Sequence, residues 1–356
     1  MPSLPFRDPD SPPRQLVEPG QTSPCLGRWS RPVPEPNLEE AAIPHLWDWL
    51  PARMERGISR RWRNKRWQFV NCATPGWVLS CAIADAAIAG NVFVYAVNTR
   101  SGAIHRLLHM RPLAAGVRVE AGSSESEHRF DGGRTSMRIA NHGGGRHFAL
   151  QGRGRFDAGG GAFEIDLQFE SEPGDRHAAL SVPLPEGRWN YTHKFGGFRV
   201  RGVAQLGGET VRFDPALSLG ASDYTRLAAL RHTVWRWVSL ATVLPDGRRF
   251  ALNLVQPTPG EAAGLATENM LWIEGQPEQV RNASLQVDGL GWRVQGDGLQ
   301  LVMRPLALYR QQLRVPLLAH RLDHHVGAWS GFAETSQGRI ELRDVFGLGE
   351  DNDSWW

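Results

Sequence analysis

Residues Ala162 to Glu170 alternate without a break: Phe163, Ile165, Leu167 and Phe169 fall on one side, Glu164, Asp166, Gln168 and Glu170 on the other. A period of two is the signature of a strand with one buried and one wet face. From Trp67 onward the chain repeats variations on this theme. Runs such as WQFVNC, WVLSCAIAD and NVFVYAVN are short, apolar and rich in β-branched or aromatic residues, with turn pairs PG and GN between them. Further strands are expected at Gly197 to Leu206, Val234 to Val243, Arg249 to Val255, Met270 to Glu274, Ser284 to Asp288, Gly291 to Gln295, Leu299 to Pro305, Gly327 to Glu334 and Gly338 to Val345. Turn signals recur about every 8 to 12 residues, as a barrel or sandwich requires. Only two short stretches, Asn37 to Trp49 and Asp223 to Ala229, offer helices. The expectation is an all-β chain.

A length of 356 residues suggests two domains or one large β structure. A composition shift at Gly187 to Asn190 divides the chain into a Pro-rich extended arm (1–40), a first barrel (41–187) and a second (188–356). Each of the two halves is large enough to form a barrel of about eight strands, and such a barrel holds one small ligand. Fourteen Trp beside four Tyr supply indoles to fill an interior or line a cavity. Ten glycines between Asp131 and Gly161 read as hairpin turns, because no helix N-terminus follows them to complete a phosphate loop.

Several function classes lose support. The net charge of +3 gives no reason to expect a nucleic acid partner. Charge inside Trp77 to Val97, the most apolar stretch, argues against a membrane span, and the first residues do not read as a secretion signal. Cys25, Cys72 and Cys81 are too few and too irregular for a disulfide framework, so the cytoplasm is the expected compartment. A basic run, Arg53 to Arg66, offers either a phosphate or anionic-lipid contact at a membrane surface or a solvated element before the first strand. No nucleophile elbow, Walker loop, dinucleotide fingerprint or HExxH is present. His320, Asp323, His324 and His325 lack the spacing of a ligand set, so no metal is expected.

Chemistry concentrates in Arg188 to Val238. Asn190, His193, Lys194, Asp223, Arg226, Trp235 and Trp237 gather there within strand-like sequence. An acid in an apolar cavity protonates an alkene, and indole faces stabilise the cation that results. Asp223 is the candidate acid, its alternative being an N-cap or an ion pair with Arg226 or Arg231. Trp235 and Trp237 share one strand face, as substrate contacts or core. His193 and Lys194 face opposite sides, and His193 is the candidate proton relay or else a hydrogen-bonded core histidine. Tyr191, Lys194 and Arg226 complete the candidate substrate contacts; Glu334 and Glu350 rank behind as acids with structural roles.

Five separated motifs carry a family resemblance: GRWSRPVPEPN at Gly27 to Asn37, RWQFVNCATPGWVLSCAIAD at Arg66 to Asp85, NYTHKFGGFRVRG at Asn190 to Gly202, SDYTRLAALRHTVWRWV at Ser222 to Val238, and GAWSGFAE with GLGEDNDSWW near the C-terminus. Over nearly its whole length the chain resembles the bacterial family known as domain of unknown function 2804. That family is similar to the two-domain lipocalin-like proteins that include hydroxyneurosporene synthase, and more loosely to tocopherol cyclases and fungal Diels-Alderases. The resemblance implies tandem calycin-like barrels with a ligand cavity in or between them, and acid-base chemistry on a greasy isoprenoid or lipid-like substrate without a cofactor. One departure stands out: Leu227 follows Arg226 where a glycine is expected. The leading expectation is a hydratase, cyclase or isomerase, against a noncatalytic lipid-binding or carrier protein, or a module that has lost its cavity.

Overall fold

The alternation in Ala162–Glu170 is realised as a strand whose Phe163, Ile165, Leu167 and Phe169 are buried while Glu164 and Asp166 are exposed. Strands His147–Arg155 and Arg188–Leu206 flank it, both antiparallel. The computed structural model describes residues 11–42, Met54, 62–257, 268–315 and 318–356. Among these, two antiparallel sheets, curled in the lipocalin manner, make up nearly all of the regular structure.

The first sheet has 14 strands. Its centre runs Ala89–Asn98, Trp77–Asp85, Asn64–Thr74, Leu219–Ala228, Arg188–Leu206, Ala162–Glu170 and His147–Arg155, each hydrogen-bonded to the next. The second has 9 strands, with Arg249–Pro257, His232–Val243, Gly338–Trp355, Leu318–Thr335 and Leu299–Val315 in its middle. The chain passes from one sheet to the other between Ala228 and His232, later than the expected boundary at 187/188. Strands Arg188–Leu206 and Leu219–Ala228 therefore belong to the first sheet, wedged between its own earlier strands.

Asp223 to Ala229 forms no helix. Its residues Asp223 to Ala228 pair on one side with Arg188–Leu206 and on the other with Asn64–Thr74, and ladder bonds on both edges override a weak local preference. Asn37 to Ala42 makes turns only, with Asn37 bonded both ways to Val17, and residues 43–49 lie outside the described residues.

Each sheet buries an inner face. Phe148, Phe169 and Phe198 pack inside the first, and Phe250, Trp292 and Trp329 inside the second. A third cluster, including Phe69, Phe93, Tyr95, Trp237, Tyr309 and Leu322, lies between them. The described part of the N-terminal arm is packed, with Leu16, Val17, Trp29, Val33 and Leu38 fully buried and Gly27–Trp29 adding a short strand against Ala178–Leu184. Where the sheets meet, as in Asn64–Thr74 and Leu219–Ala228, alternation gives a strand one residue set for a barrel interior and another for the gap between sheets.

Candidate functional site

The gap between the sheets opens into a cavity of about 810 Å³. Trp67 and Phe69 reach it from one strand of the first sheet, Thr192 and Lys194 from another, and Asp223 and Thr225 from a third. Thr233, Trp235 and Trp237 enter from the second sheet, joined by His320, His324, Glu350 and Asn352. These side chains step by two along their strands, so they stand on the faces that the strands turn toward each other.

Lys194 and Asp223 are directly opposed across neighbouring strands. The Lys194 ammonium donates to Asp223 Oδ2 at 3.2 Å and lies 2.9 Å from Glu268 Oε2. It sits over the Trp237 ring, 5.2 Å from its centroid. Burial alone would lower the ammonium's pKa, but the Asp223 and Glu268 carboxylates outweigh it and hold the group above its ordinary value. Burial pushes the Glu268 carboxyl up against the opposing pull of Lys194. Asp223 also accepts from Thr225 Oγ1 at 2.9 Å, from Thr192 Oγ1 at 3.2 Å and, at 3.5 Å, from Trp67 Nε1. Among the described residues, two of the three ammonium donors have carboxylate partners, which leaves one for the cavity.

A second polar group faces the same space. His324 Nε2 lies 2.6 Å from Glu350 Oε2, and His324 Nδ1 lies 3.0 Å from the Tyr95 hydroxyl. Trp235 Nε1 donates to the other oxygen of Glu350. If Glu350 accepts from Nε2–H, Nδ1 accepts from Tyr95, a tautomer that its neighbours dictate. Burial pushes the Tyr95 phenol well up, so it stays a hydroxyl donor.

Asp223, Lys194, Trp235 and Trp237 thus share the cavity lining. His193, Tyr191 and Arg226 sit on the opposite face of the same strands. His193 Nδ1 is 2.9 Å from Ser123 Oγ and its Nε2 is 2.9 Å from His177 Nδ1, inside the first sheet. The Tyr191 hydroxyl accepts from Val33 N–H at 3.0 Å, and Arg226 donates to Pro36 O at 2.8 Å. Both fasten the N-terminal arm, and neither the proposed relay nor these two proposed substrate contacts lines the cavity. Of the basic run, residues 53 and 55–61 lie outside the described residues. Lys65 and Arg66 line the cavity, Lys65 donating to Trp62 O at 2.7 Å and Ala86 O at 2.6 Å, and Arg66 to Asp85 at 3.0 Å.

Trp67, Tyr95, Glu268 and His324 were not singled out as acid-base or indole groups from sequence, and Glu350 was ranked as a second-tier acid with a structural role. One signal for His324 existed: His320, Leu322 and His324 step by two and so share a face.

The model of the family described as domain of unknown function (DUF2804) matches residues 12–356, and the chain belongs to that family. No curated protein matches the sequence. The crystal structure of CghA is similar with a TM-score of 0.56 at 12% identity, covering 81% of this chain and 87% of that one. CghA crystallised with Sch210972 gives 0.54 at 12% identity, covering 82% and 87%. Kievitone hydratase from Nectria haematococca gives 0.47 at 13% identity, covering 88% and 94%. The CghA likeness shows a shared fold.

Proposed function

We propose that this DUF2804 chain binds a hydrophobic small molecule between its two sheets and acts on it by acid-base chemistry, as a hydratase, cyclase or isomerase does. One observation carries the reading: a lysine held by carboxylates and a histidine–glutamate pair face one indole-lined cavity from opposite sheets. Groups of opposite character in one apolar site are what a proton-transfer reaction needs. CghA, of the same fold, has been crystallised with a small molecule, which supports a ligand here.

In this reading the free Lys194 N–H stabilises negative charge as it develops on a substrate oxygen, an interaction strengthened by the dry surroundings. Glu350 exchanges a proton with the substrate, and His324 and Tyr95 hold it in orientation. Asp223 positions Lys194, since its oxygens already accept from four donors. Trp67, Trp235 and Trp237 contact the greasy body of the ligand and stabilise any cation formed on it. Glu268, raised by burial, is a further proton source.

Native mass spectrometry of protein purified from its own host tests the binding step. A retained small-molecule adduct is expected, absent from an Ala84→Trp variant that fills the cavity. An adduct that survives in Ala84→Trp would place the ligand elsewhere. Turnover of the identified molecule then separates an enzyme from a carrier.

A further inference from the structure

We infer that His320 and Asn352 form a matched acceptor and donor pair that recognises a head group presenting an N–H or O–H beside a carbonyl-type oxygen, such as a carboxamide or an enolised carbonyl. This rests on the cavity being the ligand site, as proposed above, and names what it selects. His320 lies opposite Ser354, and Leu322 opposite Asn352, on the paired strands Leu318–Thr335 and Gly338–Trp355. Steps of two put His320, Asn352 and Ser354 on one face, and both His320 and Asn352 line the cavity.

The hydrogen bonds assign the free atoms. Ser354 Oγ donates its only hydrogen to Asn352 Oδ1, at 3.1 Å. The same Oγ lies 2.9 Å from His320 Nδ1. With that hydrogen already used, the contact forms only if His320 donates Nδ1–H, and Nε2 then carries the lone pair. Asn352 has spent its oxygen on Ser354, and its Nδ2 has no partner among the described residues although the side chain is fully buried. An unpaired buried donor is costly, and an acceptor on a bound ligand removes that cost. His320 Nε2 likewise has no hydrogen-bond partner among the described residues. Burial brings the imidazole down to about 4, so the ring is neutral at pH 7 and the lone pair is present. Ser354 is the positioning residue that fixes both roles.

Titration of purified protein with nonanamide and 2-nonanone, followed by tryptophan fluorescence, tests the pair. Both probes carry a carbonyl on a similar chain, but only the amide has an N–H. The wild type is expected to bind nonanamide about tenfold more tightly, the ratio falling to about one in His320→Phe and returning in His320→Gln, whose carbonyl is again an acceptor. Asn352→Leu weakens both probes by about tenfold, because both use its N–H. Nitrogen-15 spectra of the histidines are expected to show His320 with Nδ1 protonated, and Ser354→Ala to lose that fixed tautomer. Equal binding of both probes in all proteins overturns the recognition pair and leaves the cavity as a ligand site. No binding of either probe, nor of an apolar dye, overturns both.

Discussion

The indoles of Trp67 and Trp235 lie nearly parallel, 6.1 Å apart and 13° from coplanar, one from each sheet. Each turns its N–H to a different carboxylate: Trp67 to Asp223 at 3.5 Å, Trp235 to Glu350. The pair thereby links the two halves of the cavity, with the lysine cluster at one end and the histidine–glutamate pair at the other. Phenylalanine at either position keeps an aromatic ring and removes the N–H. Trp235→Phe is expected to hold ligand within a few-fold of wild type while turnover drops about tenfold, as Glu350 loses one of its two donors. Steady-state kinetics on the co-purified ligand check this, and an unchanged rate would remove Trp235 from the chemistry.

Lys194 is the counter-charge for two buried carboxylates. Lys194→Met leaves Asp223 and Glu268 facing each other in a dry site, and removing one partner of such a cluster costs about 3–5 kcal/mol. Adding Asp223→Asn and Glu268→Gln is expected to restore most of the loss. Urea unfolding of the single and triple variants decides it.

Arg249 and Asp175 form a buried bidentate pair, at 2.8 and 2.9 Å, that joins the second sheet to the segment preceding Ala178–Leu184. Arg249→Met is expected to cost about 3–5 kcal/mol, and Arg249→Met with Asp175→Leu much less. A double-mutant cycle in urea checks the difference. Equal losses would mean that the pair is not what holds the sheets there.

At Gly196 the first sheet touches the second so closely that an added Cβ would lie 2.6 Å from Ala251 Cβ. Gly196→Val is therefore expected to wedge the sheets apart, costing about 1–3 kcal/mol and loosening ligand binding together. Thermal unfolding with and without ligand reads both effects.

Burial lowers the pKa of His128 to about 3 and those of His193 and His320 to about 4. Above the unfolded value of about 6.5 both states are neutral at these rings, and their contribution to stability is fully present. As pH falls from there toward about 4 the unfolded chain takes up protons that the folded one refuses. Stability drops by about 1.4 kcal/mol per pH unit for each such histidine. Urea midpoints from pH 8 to pH 4.5 are expected to fall below about pH 6.5, less steeply in His193→Gln. A flat profile would contradict the buried neutral rings.

The strands were legible because their signal is local. Phe163 to Phe169 alternate in the sequence itself, and so do Trp235 and Trp237. What the local pattern does not carry is which face looks into a barrel and which across to the other sheet. His193 and Lys194 were separable by alternation, yet the choice between them depends on the cavity lying between the sheets, a fact of tertiary packing. The same holds for partners distant in sequence: Trp67 meets Asp223 and Tyr95 meets His324 only through strand pairing and sheet docking. Asp223 to Ala229 was misread as helix for a related reason, since its identity as a strand comes from two neighbours rather than from its own residues. The family motifs mark the strands that build the site, but the resemblance carried no role for any side chain within it.

The most direct test compares turnover of the co-purified ligand by Glu350→Gln and His193→Gln. Glu350 faces the cavity and His193 faces away from it, into the first sheet. Loss of a proton-transfer group is expected to lower kcat by about 100-fold or more in Glu350→Gln, with His193→Gln within about twofold of wild type per folded molecule. The reverse order, or equal rates in all three proteins, would contradict catalysis in the cavity between the sheets.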